Sequence, residues 1–332
     1  VQAPEVLSDH RNELEAALRE AIGVTPLALC AASRYVMGWE DQHGAPAANA
    51  GKRIRPALCL LAARAFGGAV AEAMPGATAV ELIHNFSLVH DEVQDHDAER
   101  HHRPTSWALM GEGQAINVGD FLYTRALAAL TTGPGDVSRR MEALRVLNSA
   151  VARMIGGQWL DISFESRDDV SVAEYLEMVA GKTGALLGAP LEIGAILAGA
   201  DPAVAARLGA WGVEVGLAFQ AQDDYLGIWG KPDLTGKSNT NDIGRRKKTL
   251  PILHGLSDAD EGATIRRAYS EAKVPVEAVA AALDRAGAGE SCREQADSHF
   301  HQSAVLLAGL PLDAHWKDTF NEVGAYLVER DS

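Results

Sequence analysis

Apolar residues recur at helical spacing along nearly the whole chain, and no segment alternates with the period of two that marks a strand. Residues 12–22 place Leu14, Ala17, Leu18 and Ile22 on one face. Residues 142–165 and 172–199 continue the pattern in stretches of Ala, Leu, Glu and Met, all good helix formers. Pro190 is expected to kink or split the second of these, because its ring removes a backbone donor. Breaks fall at Gly44-Ala45-Pro46, Gly67-Gly68, Pro75-Gly76, Thr132-Gly133-Pro134-Gly135, Gly230-Lys231-Pro232 and Gly309-Leu310-Pro311. Between them lie helices of roughly 15–30 residues. Gly181, Gly184, Ala185, Gly188 and Ala189 would let neighbouring helices approach closely. With no internal repeat and no low-complexity linker, the sequence predicts one large all-α domain over residues 1–332.

A hydrophobic content of 47% supports a sizeable core, and the formal net charge is −15. That balance argues against nucleic acid as a partner and against adhesion to an anionic membrane. No stretch approaches the roughly 18 apolar residues of a membrane span. Val1 to Glu5 lack a basic segment leading into an apolar run, so no signal peptide is expected. Cys30, Cys59 and Cys292 have no metal-like spacing and read as reduced thiols of a cytoplasmic protein. On so acidic a chain, a phosphate-bearing ligand has to be held by local clusters of cations.

Such clusters occur, each beside carboxylates. Val89-His90-Asp91-Glu92-Val93-Gln94-Asp95 is followed by Arg100 and Arg103. On a helix, Asp91 and Asp95 share a face, whereas Glu92 is turned about 100° away. A solvated acidic face is the bland reading of such a run. It loses weight because Leu82, Ile83, Phe86, Leu88 and Val89 make this helix a buried one, where carboxylates need partners such as metal ions. Farther on, Phe219-Gln220-Ala221-Gln222-Asp223-Asp224-Tyr225 precedes Lys237, Asp242, Arg245, Arg246, Lys247 and Lys248. About half of such basic runs are only solvated helix ends. Gly51-Lys52-Arg53-Ile54-Arg55-Pro56 places Lys52 and Arg55 at a helix start, a natural anion site. Lys182-Thr183 interrupts an apolar helix, where a lone Lys ordinarily snorkels to solvent.

In this order and spacing the segments resemble the trans-isoprenyl diphosphate synthases, the polyprenyl synthetase family, from about Gly51 to Leu250. The resemblance implies an isoprenoid-synthase-type helical bundle around a deep central cavity, a homodimer, and head-to-tail condensation of isopentenyl diphosphate with an allylic diphosphate. It implies that Asp91, Asp95 and Asp223 bind about three Mg²⁺ ions, with Mn²⁺ as a substitute. Arg100, Lys182 and Lys247 would complete the charge shell of the allylic diphosphate, with Lys237 nearby. Lys52, Arg55 and His84 would hold isopentenyl diphosphate. Thr183 and Gln220 would stabilise the developing carbocation.

Four positions depart from the family pattern. Glu92 stands where a second Asp is usual, and because it lies off the Asp91–Asp95 face, metal binding should survive. Gly227 occupies the last acidic position of the second motif. Asn49-Ala50 replaces an extra Gly before Gly51. His101 stands where a second Arg helps bind isopentenyl diphosphate; His102 or Arg103 is the candidate substitute. In the family the residues before the first acidic motif, here Phe86 and Ser87, form the floor of the tail pocket. A bulky Phe86 implies a short product, C15 or C20, although helix geometry alone turns Ser87 toward the Asp91 face. Two other readings share the fold: a terpene cyclase using one allylic diphosphate, and a non-catalytic subunit of a heteromeric synthase.

Overall fold

The computed structural model describes residues 3–25, 27–47, 50–100, 102–230 and 241–329. These form two compact units, one of Glu5–Ser149 with Ala189–Ala206, the other of Val1–Pro4, Ala150–Gly188 and Arg207–Ser332. Both are helical, as the periodicity predicts. Among the described residues, regular β structure is a two-residue hairpin, Glu99–Arg100 paired with Arg103–Pro104, plus one isolated bridge.

The first unit contains α1 (Arg11–Ile22), α2 (Leu27–Val36), α3 (Ile54–Ala65), α4 (Val70–Gln94), the short α5 (Ser106–Met110) and α6 (Glu112–Thr132). α1 buries Leu14, Leu18 and Ile22, three of the four residues that the pattern assigns to its inner face. Residues 57–63 of α3 are all buried. At about 25 cal/mol per Å² of apolar surface, each such Leu stabilises the unit by roughly 1.5–3 kcal/mol. Close approach explains two glycines. A Cβ at Gly194 would lie 2.0 Å from the Cys59 carbonyl oxygen, and one at Gly76 would lie 2.7 Å from Ile193 and Leu197 side-chain carbons. Pro75-Gly76 is therefore no break: both residues lie inside α4. A cavity of about 740 Å³ opens between α1, α4 and α6. It touches α4 at residues 70–78, at the opposite end from Asp91.

α7 (Val137–Phe164) begins five residues before the predicted 142. α8 (Val172–Val179) starts with a capping box: Ser171 accepts from the Glu174 amide, and the Glu174 side chain returns to the Ser171 amide. A single π-helical turn, Ala180–Gly184, joins α8 to α9 (Ala185–Ala198). The departure from α geometry thus falls at Ala180–Gly184, while Pro190 sits inside α9. Backbone proximity accounts for the residues used there. A Cβ at Gly157 of α7 would lie 2.3 Å from the Lys182 nitrogen, and one at Gly181 would lie 2.7 Å from the Arg153 carbonyl oxygen.

α10 (Pro202–Trp229) carries the second acidic motif. In the second unit Leu217 and Ala221 of this helix pack with Phe164, Tyr175, Met178 and Val179. Leu250 and Leu253 of the helix Leu250–Ser257 join the same core, as do Cys292 and Ala296 of the helix Ala288–Ala308. All three cysteines are buried and unbridged.

Candidate active site

In the first unit the site is built on the last turn of α4. Asp91 and Asp95 lie four residues apart there, and the Asp95 amide bonds back to the Asp91 carbonyl. A helix C-terminus carries partial negative charge, so carboxylates at this end are electrostatically strained and call for cations. Arg100, on the hairpin that follows, supplies one. Its Nε lies 3.0 Å from Glu92 Oε1 and its Nη2 lies 3.4 Å from Asp91 Oδ2. Glu92 is 8% exposed and turned inward, away from the Asp91–Asp95 face. Burial raises its pKa, against the pull of Arg100 and of the Ser106 amide.

The hairpin is held firmly. Thr105 Oγ1 and Trp107 Nε1 donate to the Asp97 carbonyl at 2.7 and 2.9 Å, and Tyr35 Oη donates to the Pro104 carbonyl at 2.5 Å. Arg103 donates to the Tyr35 and Glu40 carbonyls, both at 3.1 Å, with its guanidinium 4.4 Å above the Tyr35 ring. Arg103 is thus an anchor of the hairpin and not the substitute second Arg that the sequence put forward. His102 has φ of 60°, and His101 lies outside the described residues.

Arg55 and His84 come together as grouped, with Arg55 Nη1 3.2 Å from His84 Nε2. Burial, then Arg55, Arg100 and Arg53, holds the His84 pKa well below the ordinary imidazole range. His84 is therefore neutral, accepts from Arg55 through Nε2 and carries its proton on Nδ1. Lys52 is exposed on a loop whose three consecutive carbonyls, of Ala50, Gly51 and Lys52, accept from the Arg11 guanidinium at 2.8–3.3 Å. Arg53 between them points inward. At φ 53° it caps α3 and donates to Glu15 Oε1 at 2.9 Å, Glu81 Oε1 at 2.6 Å and the Met37 carbonyl at 2.9 Å. Phe86 is 8% exposed and packs against His90 and against Tyr123 of α6, with centroids 4.7 and 5.3 Å away.

In the second unit the π turn carries Lys182 and Thr183. Lys182 Nζ lies 2.6 Å from Asp161 Oδ2 of α7, and Thr183 Oγ1 donates to Gln220 Oε1 at 3.2 Å. Gln220 Nε2 donates to Asp224 Oδ1 at 3.1 Å. Tyr175 Oη and, at 2.8 Å, the Leu250 amide donate to Asp224 Oδ2. Asp224 is 6% exposed, and burial pushes its pKa up to about 7 against these three donors. Asp223, one residue before, is exposed. A Cβ at Gly227 would lie 3.3 Å from Asp242 Oδ2, so a carboxylate stands beside the position where the motif has lost one. Arg246 donates to the Tyr269 and Glu271 carbonyls, and Lys248 lies 5.7 Å from the Tyr269 ring. Lys247 lies between these two and bonds through its amide to the Asp242 carbonyl at 3.0 Å. Lys237 lies outside the described residues.

The sequence profile named Polyprenyl synthetase matches residues 44–286. The chain belongs to the polyprenyl synthetase family. It is 40% identical over 309 residues to the (2E,6E)-farnesyl diphosphate synthase of Mycobacterium tuberculosis, covering 90% of this chain and 85% of the relative. It is 42% identical over 288 residues to the geranylgeranyl diphosphate synthase of the same organism, covering 85% and 81%. The crystal structure of the polyprenyl synthetase from Streptomyces coelicolor A3(2) superposes with a TM-score of 0.91 at 37% identity, covering 98% of this chain and all of that one.

The family uses divalent metal for catalysis. The Asp91–Asp95 pair and Asp223 offer oxygen donors, and such donors suit a hard cation. Among the described residues, no group of three or more His, Cys, Asp or Glu side chains is assembled to hold a metal ion by itself. No helix among them is long and apolar enough to cross a membrane. The structure adds four residues that sequence reasoning missed: Arg53, Asp161, Tyr175 and the inward-facing role of Asp224. One of them had a signal. Glu81 lies in the apolar run of α4, and a carboxylate buried there requires a cation such as Arg53.

Proposed function

We propose that the chain is a short-chain trans-prenyltransferase that joins isopentenyl diphosphate to an allylic diphosphate and releases a C15 or C20 product. The observation that carries this reading is the Arg100 cation beside the Asp91 carboxylate of the first motif. The second unit keeps Asp223 exposed on α10 and holds Lys182 on the π turn against Asp161. Asp91, Asp95 and Asp223 are the Mg²⁺ ligands, for about three ions, with Mn²⁺ as a substitute. Bound metal would neutralise the diphosphate as it departs. Arg100, Lys182, Lys247 and Lys237 hold the same diphosphate. Lys52, Arg55 and His84 hold isopentenyl diphosphate, and His101, next to Arg100 in the sequence, is a further candidate for it.

The allylic C–O bond breaks with its electron pair leaving on the diphosphate. The Oε1 of Gln220 and the hydroxyl of Thr183 present negative dipole ends to the resulting cation. The isopentenyl double bond then supplies the electrons of the new C–C bond, and a proton is lost to the departed diphosphate. Residues 1–332 are read as a single catalytic domain. The terpene cyclase reading is disfavoured by Lys52 and the Arg55–His84 contact, which a one-diphosphate enzyme does not need. The non-catalytic reading is disfavoured by the retained carboxylates.

A homodimer is supported by Ile155, Trp159 and Ile162, which lie at helical spacing on α7 and are 54%, 76% and 41% exposed. Three unbridged cysteines fit a reducing compartment, the cytoplasm. The test is incubation with Mg²⁺, geranyl diphosphate and isopentenyl diphosphate, followed by chromatography of the dephosphorylated products. Farnesol or geranylgeraniol is the expected result. Cyclic hydrocarbon formed without isopentenyl diphosphate, or no condensation at all, would overturn the reading.

A further inference from the structure

We propose that Asp224 is a positioning residue that fixes which way the Gln220 side-chain amide points, and that Tyr175 and the Leu250 amide hold Asp224 for that task. The inference rests on the prenyl-transfer reading above. It starts from the contacts within the second unit. Asp224 accepts from three donors, two on Oδ2 and one on Oδ1, while its neighbour Asp223 is exposed. Gln220 and Asp224 are four residues apart on α10 and so share a face.

A carboxylate can only accept hydrogen bonds, so the end of the Gln220 amide that faces it must be the NH₂. The carbonyl end, Oε1, then faces Thr183, whose hydroxyl donates to it at 3.2 Å. With that proton committed, the lone pairs of Thr183 Oγ1 are left over. The chain of bonds runs from Tyr175 through Asp224 and Gln220 to Thr183 and has one polarity throughout. Two oxygen atoms, those of Gln220 and Thr183, end up as negative dipole ends. An allylic carbocation needs that polarity, because a reversed amide would present NH₂ in place of oxygen.

The same geometry makes Asp224→Asn a specific probe. The Leu250 amide is a donor that cannot rotate, so the oxygen of the substituted side chain must take the Oδ2 position to receive it. The new NH₂ is then forced onto the Oδ1 position, against Gln220. Gln220 has to turn over, offering its oxygen to that NH₂ and its own NH₂ to Thr183. Adding Gln220→Glu removes the conflict, since a carboxylate there can accept both from the new NH₂ and from Thr183.

The experiment has two arms. In the kinetic arm, Asp224→Asn lowers kcat by about 10²-fold, in line with the loss of one preorganised dipole, and leaves both KM values within about threefold. The Asp224→Asn/Gln220→Glu double variant recovers at least about tenfold of that loss. In the spectroscopic arm, selective ¹⁵N-glutamine labelling reads the Gln220 side-chain amide of the wild type directly, assigned by its disappearance in Gln220→Glu. Bonded to a carboxylate, one of its protons is shifted and protected from exchange, and that signature is lost in Asp224→Asn. An unprotected Gln220 amide in the wild type overturns the inference even where the Asp224→Asn variant fails to fold. So does a double variant no faster than Asp224→Asn. A wild type with the protected amide but no condensation activity would instead overturn the prenyl-transfer reading and leave the fixed amide standing.

Discussion

The two acidic motifs solve one problem with opposite chemistry. In each, an outward carboxylate is next to an inward one: Asp91 beside Glu92, and Asp223 beside Asp224. The 100° turn per residue of an α-helix separates the pairs. The inward partners are nearly equally buried, at 8% and 6% exposure. Glu92 is compensated by a cation, Arg100, whereas Asp224 is compensated by three neutral donors, a phenol, an amide side chain and a backbone N–H. The difference assigns different work. Glu92 holds a charge that diphosphate would use, and Asp224 holds a dipole. Adjacent acids in a motif are thus divided between binding and support.

The largest effects should come from the outward carboxylates. Asp91→Asn and Asp223→Asn each delete a proposed metal ligand without touching the inward acid. Each should lower kcat/KM by about 10³-fold, the several kcal/mol of charge stabilisation that a bound divalent ion supplies. The melting temperature of Asp223→Asn should change little, because that residue is exposed. Excess chelator should abolish turnover of the wild type, and Mg²⁺ or Mn²⁺ should restore it. Full activity in chelator, or a harmless Asp91→Asn, would break the assignment of outward acids to metal.

Glu92→Gln comes next and sharpens the contrast. It leaves Arg100 beside a neutral amide. Removing one partner of a buried ion pair is costly, but the Arg100 side chain is 31% exposed and water screens it. About 1–3 kcal/mol of stability should be lost, which is about 2–4 °C of melting temperature per kcal/mol. Because Arg100 also loses its anchor, KM for the allylic diphosphate should rise about tenfold, with kcat nearly unchanged; one charge-assisted hydrogen bond has that size. The comparison predicts a KM effect here and a kcat effect for Asp224→Asn. If both variants shift the same parameter, the distinction between charge-holder and dipole-holder fails.

The helical class, the Asp91–Asp95 face, the pairing of Arg55 with His84 and that of Thr183 with Gln220 were legible in the sequence, or in the family resemblance it carries. Each depends on local spacing or on a motif that keeps its order. The partners that fix those groups were not legible. Arg53 sits between Lys52 and Arg55 yet points inward at a positive φ; Glu81 in the apolar run of α4 calls for a cation but does not say which of the three answers it. Asp161 meets Lys182 only because Gly157 and Gly181 let α7 approach the π turn. Tyr175 lies 49 residues from the Asp224 it serves. Arg103 looked like a ligand cation until its bonds to Tyr35 and Glu40 were visible. Pro75-Gly76 reads as a break, but six residues into α4 it is absorbed, and Gly76 makes room for Ile193 and Leu197. Helical period reports which face is buried. It does not report which distant residue covers that face.

The smallest effect on rate should come from a position where the motifs differ in bulk. Five residues before Asp91 stands Phe86, while five before Asp223 stands Ala218. At that offset only the first motif carries a ring; the second has Phe219 one position later. Phe86 is fixed by an edge contact with His90 and by Tyr123 of α6, and Gly119 of α6 leaves room for the His90 ring. Five residues of rise put it about 7.5 Å down α4 from Asp91. If the tail of the growing chain runs along this helix, Phe86 is where it stops. Phe86→Ala should leave kcat within about threefold, since no group that touches the diphosphate is altered. It should lengthen the main product by one five-carbon unit, because truncating a buried aromatic leaves a cavity when neighbours do not collapse. Stability should fall by about 3–5 kcal/mol for the same reason. Phe86→Leu should give an intermediate mixture. The measurement is chromatography of dephosphorylated products at matched substrate ratios. An unchanged product from a folded Phe86→Ala would show that the ring only packs α4 against α6. The asymmetry between the motifs would then concern packing alone, and the limit on chain length would lie on another helix.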